Sequence, residues 1–123
     1  MLKHELLRND SILIVIPEDP LEAKDFEELN REVDPYIAET GKLNGLMIYA
    51  ESFPGWDNFA SFLQHIKFIK DHHQKIGKVA AVTDNSFLSI LPRVSRHFVQ
   101  AEIRHFAWDD KETAIVWLKS DGD

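Results

Sequence analysis

The sequence predicts an α/β domain that opens with a β-hairpin and continues with four β-α units, giving a mostly parallel sheet with helices packed around it. Three observations favour this class. Short apolar runs alternate with longer stretches whose apolar residues recur at helical spacing. The inner runs are almost continuously apolar, as parallel strands are when helices cover both faces of their sheet. The length of 123 residues is the usual size of one domain, so residues 1–123 are expected to form a single unit.

Apolar runs bounded by turn-forming residues predict the strands. The runs at 2–7 and 12–16 flank Asn9 and Asp10, so they are expected to pair as a hairpin. Three further apolar runs predict strands at 45–50, 78–83 and 102–107. Right-handed crossovers would make the last four strands mutually parallel.

The first predicted helix has clear boundary signals. Asp19 is the expected N-cap, with Pro20 at the first helical position, and Gly41 is the expected stop. Pro35 lies inside this stretch and predicts a kink, because proline cannot donate the helical hydrogen bond.

Three more helices follow from the same kind of signal. The second is expected to begin after the cap Asp57 and to end at Gly77. The third is expected to be split by Pro92, which starts its second half. Asp109 and Glu112 have capping-box spacing and predict the start of the fourth.

Composition excludes several function classes. The chain has no cysteine, so it has no disulfide, thiolate metal site or cysteine nucleophile. Its net charge of −7 argues against a nucleic-acid partner, which needs a basic face. The longest apolar run, 12–16, is far shorter than the ~20 residues of a membrane-spanning helix. No signal-peptide pattern opens the chain, so a cytoplasmic protein is expected.

Sequence motifs for cofactors and metals are also missing. The six histidines lack chelating spacing, and no glycine-rich nucleotide loop occurs among the five glycines. We therefore expect neither a metal ion nor a cofactor.

Three segments resemble the SpoIIAA-like proteins: GLMIYAESFPGWDNF, KVAAVTDNSF and AEIRHFAWDDKETAIVWL. These are small bacterial domains whose fold is akin to the STAS domains of anti-sigma-factor antagonists and to the CRAL-TRIO lipid-binding fold. The resemblance implies a STAS-like βα superhelix. Those antagonists carry a phosphorylatable serine in an Asp-Ser-Ser-Gly type of motif. Here that place is Glu51 to Trp56, with Ser52 in a different setting, which argues against a kinase-regulated switch.

A ligand site is expected beyond the carboxyl ends of the strands, where open α/β sheets form crevices. Six residues near that end are the predicted ligand-binding set: Glu51, Phe53, Trp56, Asp84, Phe87 and Trp108. Two indole rings supply apolar surface with a donor each, and helix N-termini suit an anionic group. A small amphipathic or lipid-like ligand fits this pattern. The alternative is that the aromatic residues only seal the end of the sheet.

Three functions follow from these residues. The leading hypothesis is a non-catalytic binding module for the amphipathic ligand. The second is a STAS-type protein-interaction or regulatory domain centred on residues 51–58. The third is a small hydrolase or isomerase that uses Glu51 and Asp84 as an acid–base pair. No nucleophile motif such as GxSxG is present, so we favour a protein that is not an enzyme.

Self-association is predicted through Phe68, which lies about 180° from the apolar stripe of the second predicted helix, with His65 and His72 around it. Burying this ring contributes about 1.5–3 kcal/mol per protomer. We expect a homodimer, and Phe68→Asp should elute as a monomer from a sizing column. An unchanged elution volume would remove Phe68 from the interface.

Overall fold

The computed structural model describes residues 2–18, 23–41, 43–51, 76–97 and 101–120, and the elements within these ranges follow one another in the predicted order. The strands are β1 (Leu2–Leu7), β2 (Ile12–Pro17), β3 (Leu43–Tyr49), β4 (Ile76–Val82) and β5 (Glu102–Phe106). The helices are α1 (Ala23–Thr40), a 3-10 helix (Asn85–Ser89), α2 (Leu91–His97) and α3 (Lys111–Lys119). The predicted helix between residues 57 and 77, with Phe68, His65 and His72, lies almost entirely outside the described residues.

One five-stranded sheet holds the strands in the order β1-β2-β3-β4-β5. β1 pairs with β2 antiparallel, which confirms the hairpin. The other three pairs are parallel, in registers that place Ile12 opposite Gly45, Leu43 opposite Ile76, and Lys78 opposite Glu102. The predicted mostly parallel sheet is therefore confirmed.

Side chains alternate between the two faces of the sheet, because successive residues of a strand point to opposite sides. The first face packs against α1 and the 3-10 helix. Its buried residues include Leu13, Val15, Leu46, Ile48, Val79, Phe26, Leu29, Val33 and Phe87. The second face packs against α3. Its buried residues are Ile12, Ile14, Met47, Ala80, Val82, Phe106, Ala114, Trp117 and Leu118. Both faces of β2, β3 and β4 are thus covered, as their continuous apolar runs predict.

The hairpin is fixed to α1 by polar contacts. The Tyr36 hydroxyl donates to the Arg8 carbonyl at 3.0 Å, and the Arg8 guanidinium lies 5.5 Å from the centre of the Tyr36 ring. His4 Nε2 lies 2.6 Å from Glu32 Oε1. Asn9 and Asp10 lie in the turn, as predicted, and Ser11 at its end takes a positive φ of +58°.

Two of the predicted helix boundaries are confirmed. Gly41 ends α1 with φ +89°, and its N–H donates to the Ile37 carbonyl at 2.7 Å. Pro35 lies inside α1, which continues to Thr40, and the kink at Pro35 stays a prediction. Pro92 lies at the start of α2, which follows the 3-10 helix, so the predicted split is present.

Two other predicted boundaries are wrong. Gly77 does not end a helix but lies within β4, where a Cβ atom would meet the Asn44 carbonyl oxygen at 3.3 Å. The N-cap of α3 is Asp110, one residue after Asp109. Its carboxylate accepts from the Thr113 hydroxyl at 2.6 Å instead of from a backbone N–H, so no capping box forms.

Close packing holds α3 against the sheet. A Cβ atom added at Gly45 would lie 2.7 Å from Leu118 Cδ2, so only glycine lets the helix approach β3 this closely. Lys78 of β4 is buried on the same face, and its ammonium donates to three oxygens at the end of α3. These are the Trp117 carbonyl at 3.0 Å, the Ser120 carbonyl at 2.9 Å and the Ser120 hydroxyl at 2.7 Å.

We expect Lys78→Met to lower the free energy of unfolding by about 1.5–3 kcal/mol, because carbonyls at the carboxyl end of α3 lose a charged donor. Urea titration followed by circular dichroism measures this. Lys119→Met is the matched control. Lys119 is also a lysine of this region, but its pair with Asp10 is exposed and should contribute less than about 1 kcal/mol. Equal midpoints for the two variants would contradict the capping role.

Candidate functional site

An open recess of about 320 Å³ lies at the carboxyl ends of β3 and β5, beside the N-terminus of α3. Its lining combines one residue from β3 with the loop and first turn that follow β5: Tyr49, Trp108, Asp109, Asp110, Lys111, Glu112 and Thr113. This is the edge of the sheet at which the sequence predicts a ligand site.

A stacked aromatic pair forms one part of the lining. The Tyr49 and Trp108 rings have centroids 5.9 Å apart and planes 26° apart. Tyr49 belongs to β3 and Trp108 follows β5, so the pair bridges across the end of β4. Trp108 remains 39% exposed, which leaves part of an indole surface open to solvent.

Four charged side chains and Thr113 form the rest of the lining. Lys111 Nζ lies 4.6 Å from the centre of the Tyr49 ring, within the range of a cation–π contact. Asp109, Asp110 and Glu112 are exposed carboxylates in the loop and first turn of α3. The recess therefore carries three negative charges and one positive charge.

Glu51 and Asp84 lie at the same edge of the sheet, but only Asp84 is shown to cap a helix. Tyr49 is opposite Val82 in the β3–β4 register, so Glu51 and Asp84 both lie two residues beyond the last pair. Asp84 is the N-cap of the 3-10 helix, and its Oδ1 accepts from the Ser86 N–H at 3.1 Å and from the Ser86 hydroxyl at 2.5 Å. Glu51 is exposed.

His105 of β5 contacts the turn that follows β4. Its Nε2 lies 3.0 Å from both the Thr83 and the Asp84 carbonyl oxygens. Carbonyl oxygens only accept, so Nε2 carries the proton. The ring also stacks on Phe87, with centroids 6.0 Å apart.

These contacts do not make a nucleophilic arrangement from Ser86, Asp84 and His105. An activated serine donates its proton to an imidazole that a carboxylate orients. Here the serine hydroxyl donates to the carboxylate, and the imidazole donates to backbone carbonyls. All three side chains serve the turn at the end of β4.

The six predicted ligand-binding residues have different outcomes. Trp108 lies in the recess. Phe87 is fully buried in the core on the first face of the sheet, so it does not line the recess. A ligand-binding role of Phe87 stays a prediction, and its ring is not part of the lining of this recess. Phe53 and Trp56 lie outside the described residues.

Sequence reasoning missed Tyr49 as a site residue. Tyr49 shares the second face of the sheet with Met47, and Trp108 follows Phe106, another residue of that face, by two positions. The alternation of side chains along strands could have predicted that the two rings lie on one face. It could not have predicted their stacking, which depends on the turn at Trp108.

A family model described as SpoIIAA-like matches residues 12–119, and the chain therefore belongs to the SpoIIAA-like family. The match supports a STAS-type regulatory or interaction domain. No curated protein and no solved structure matches the chain.

Among the described residues, none of the helices has the length and hydrophobicity of a membrane-spanning segment. Among the same residues, no group of three or more histidine, aspartate or glutamate side chains could hold a metal ion.

We expect Asp84→Ala to lower the free energy of unfolding by about 0.5–2 kcal/mol, because the 3-10 helix loses its cap. Asp84→Asn should retain most of the stability, since the amide oxygen still accepts from the Ser86 N–H. Glu51→Gln is the control at the neighbouring strand end and should leave the urea midpoint unchanged. If Asp84→Ala matched wild type, the carboxylate would not be acting as a cap.

Proposed function

We propose that this chain is a non-catalytic binding module of the STAS type, and that a protein partner contacts it at the recess beside α3. The observation that carries the proposal is the half-exposed Trp108 ring, stacked on Tyr49 inside an open, charged recess. Tryptophan and tyrosine are the residues that most often anchor protein interfaces.

The shape of the recess favours a protein over an enclosed small ligand. Small-molecule sites usually bury most of their ligand and are lined mainly by apolar side chains. This recess is open, and its five non-aromatic lining residues are all polar: Asp109, Asp110, Lys111, Glu112 and Thr113. A polar rim around an aromatic centre is the usual composition of a protein interface.

Two of the residues that line the recess also lie on rigid elements. Tyr49 ends a strand that pairs on both sides, and Lys111 begins a helix whose far end is held by Lys78. Binding residues on rigid elements lose little conformational freedom when a partner docks.

The second candidate is a small amphipathic or lipid-like ligand. The exposed indole surface of Trp108 favours it, because that surface could receive an apolar chain. The three carboxylates of the lining disfavour the anionic head group of a fatty acid. We propose no catalytic role, because Asp84 is engaged as the cap of the 3-10 helix.

We also propose, as the sequence predicts, that the protein is a cytoplasmic homodimer.

Photo-crosslinking tests the proposal. p-Benzoyl-phenylalanine at position 108 should give a discrete protein adduct in cells. The same group at position 116, an outward side chain of α3 that is 67% exposed, should not. The adduct is identified by mass spectrometry, and the partner is purified and titrated by calorimetry. Trp108→Ala should weaken that complex at least about tenfold, equal to ~1.4 kcal/mol, whereas Val116→Ala should not.

Two outcomes would contradict the proposal. One is unchanged affinity of the purified pair with folded Trp108→Ala protein. The other is the absence of any adduct at position 108 together with a saturable change in tryptophan emission on adding oleate that is lost in Trp108→Phe, which would favour the lipid-like ligand.

A further inference from the structure

We propose that the recess receives a cationic side chain, arginine above all, from a basic segment of the partner protein. This inference rests on the proposed function and identifies the chemistry of the partner. It is carried by an aromatic pair that already holds one cation of the chain, in a recess whose remaining charges are negative.

The first step is the contact between Lys111 and Tyr49. The ammonium lies 4.6 Å from the ring centre, so the negative face of the ring accepts a cation in this geometry. Tryptophan attracts cations more strongly than tyrosine does. The neighbouring Trp108 ring is 39% exposed, and no cation of the described residues contacts it.

The second step is charge. Three carboxylates line the recess against one ammonium, which leaves an excess of two negative charges. Within the described part of the chain, Asp109 and Glu112 form no ion pair with a lysine or arginine. A guanidinium placed on Trp108 can stack on the ring and donate to a carboxylate at the same time, because it is planar and carries five donors.

The third step concerns the source of the cation. A free organic cation would remain largely solvated in an open recess. A cationic side chain within a protein segment gains the further contacts of that segment around the rim. Charge complementarity between this acidic edge and a basic segment therefore favours a protein partner.

Lys111 acts as an internal competitor in this arrangement. It occupies the Tyr49 ring and neutralises one of the carboxylates' charges. Removing its ammonium should strengthen binding of an external cation, an effect that a purely structural role of Lys111 would not produce.

The probe is the peptide acetyl-Gly-Arg-Gly-Arg-Gly-amide, with the same peptide carrying citrulline in place of arginine as the uncharged control. Binding is followed by the nuclear magnetic resonance shift of the Trp108 indole N–H, assigned by comparison with Trp108→Phe. We expect saturable binding of the arginine peptide, and binding of the citrulline peptide at least about tenfold weaker.

Variants separate the contribution of the carboxylates from that of the Lys111 ammonium. Asp110→Asn with Glu112→Gln should weaken binding about fivefold, and the asparagine amide oxygen can still accept from the Thr113 hydroxyl, as Asp110 does. Lys111→Met should strengthen binding about threefold. Lys119→Met removes the same charge roughly 12 Å away along α3, at 1.5 Å per residue, and should change binding less. Circular dichroism confirms that each variant is folded.

Equal binding of the two peptides, or equal effects of Lys111→Met and Lys119→Met, would overturn the inference. The proposed function fails separately. If the purified partner still depends on Trp108 while the arginine peptide does not bind, the recess is an interface but its occupant is not a cation. Binding of the arginine peptide with no protein adduct at position 108 would instead leave a site for a free organic cation, which also overturns the protein source.

Discussion

The buried ammonium of Lys78 is the contact on which the candidate site depends. It projects from β4 toward the carboxyl end of α3, where helical carbonyls lack partners within the helix. A cation is the favourable charge at that end of a helix dipole. Nine residues make α3 only about 13 Å long at 1.5 Å per residue. Fixing one end of so short a helix therefore fixes the other, and the other end builds the recess.

The first face of the sheet forms core and holds the turn after β4, whereas the second face carries α3 and the recess. On the first face, α1 buries one apolar stripe against the sheet and Phe87 is fully buried, and the polar groups of His105 and Asp84 hold the turn after β4. On the second face, Gly45 lets the carboxyl-terminal part of α3 lie close to β3, where Leu118 packs against it. The first turn of α3, at the other end of the helix, lines the recess together with Tyr49 and Trp108.

The sheet could be predicted from the sequence because its strands are continuous apolar runs, and both faces of such runs must be covered. Residues that end elements were predicted less well. Gly77 carries the same signal as a helix stop, yet its role is to pass the Asn44 carbonyl within a strand pair. Phe87 has the composition of a pocket residue, yet its ring is fully buried in the core. Strand register and cap geometry decide such positions, and neither is encoded in residue type alone.

The sign of the charge that the recess attracts also could not be predicted from residue types alone. A helix N-terminus considered by itself attracts anions, and on that ground the sequence favours an amphipathic acid. In the folded chain, Asp110 and Glu112 already supply negative charge to the first turn of α3. The dipole is worth only about half an elementary charge, whereas the lining carries an excess of two negative charges. The carboxylates therefore outweigh the helix dipole in the recess. The Tyr49 ring, which already holds the Lys111 ammonium on its face, adds a second attraction for a cation.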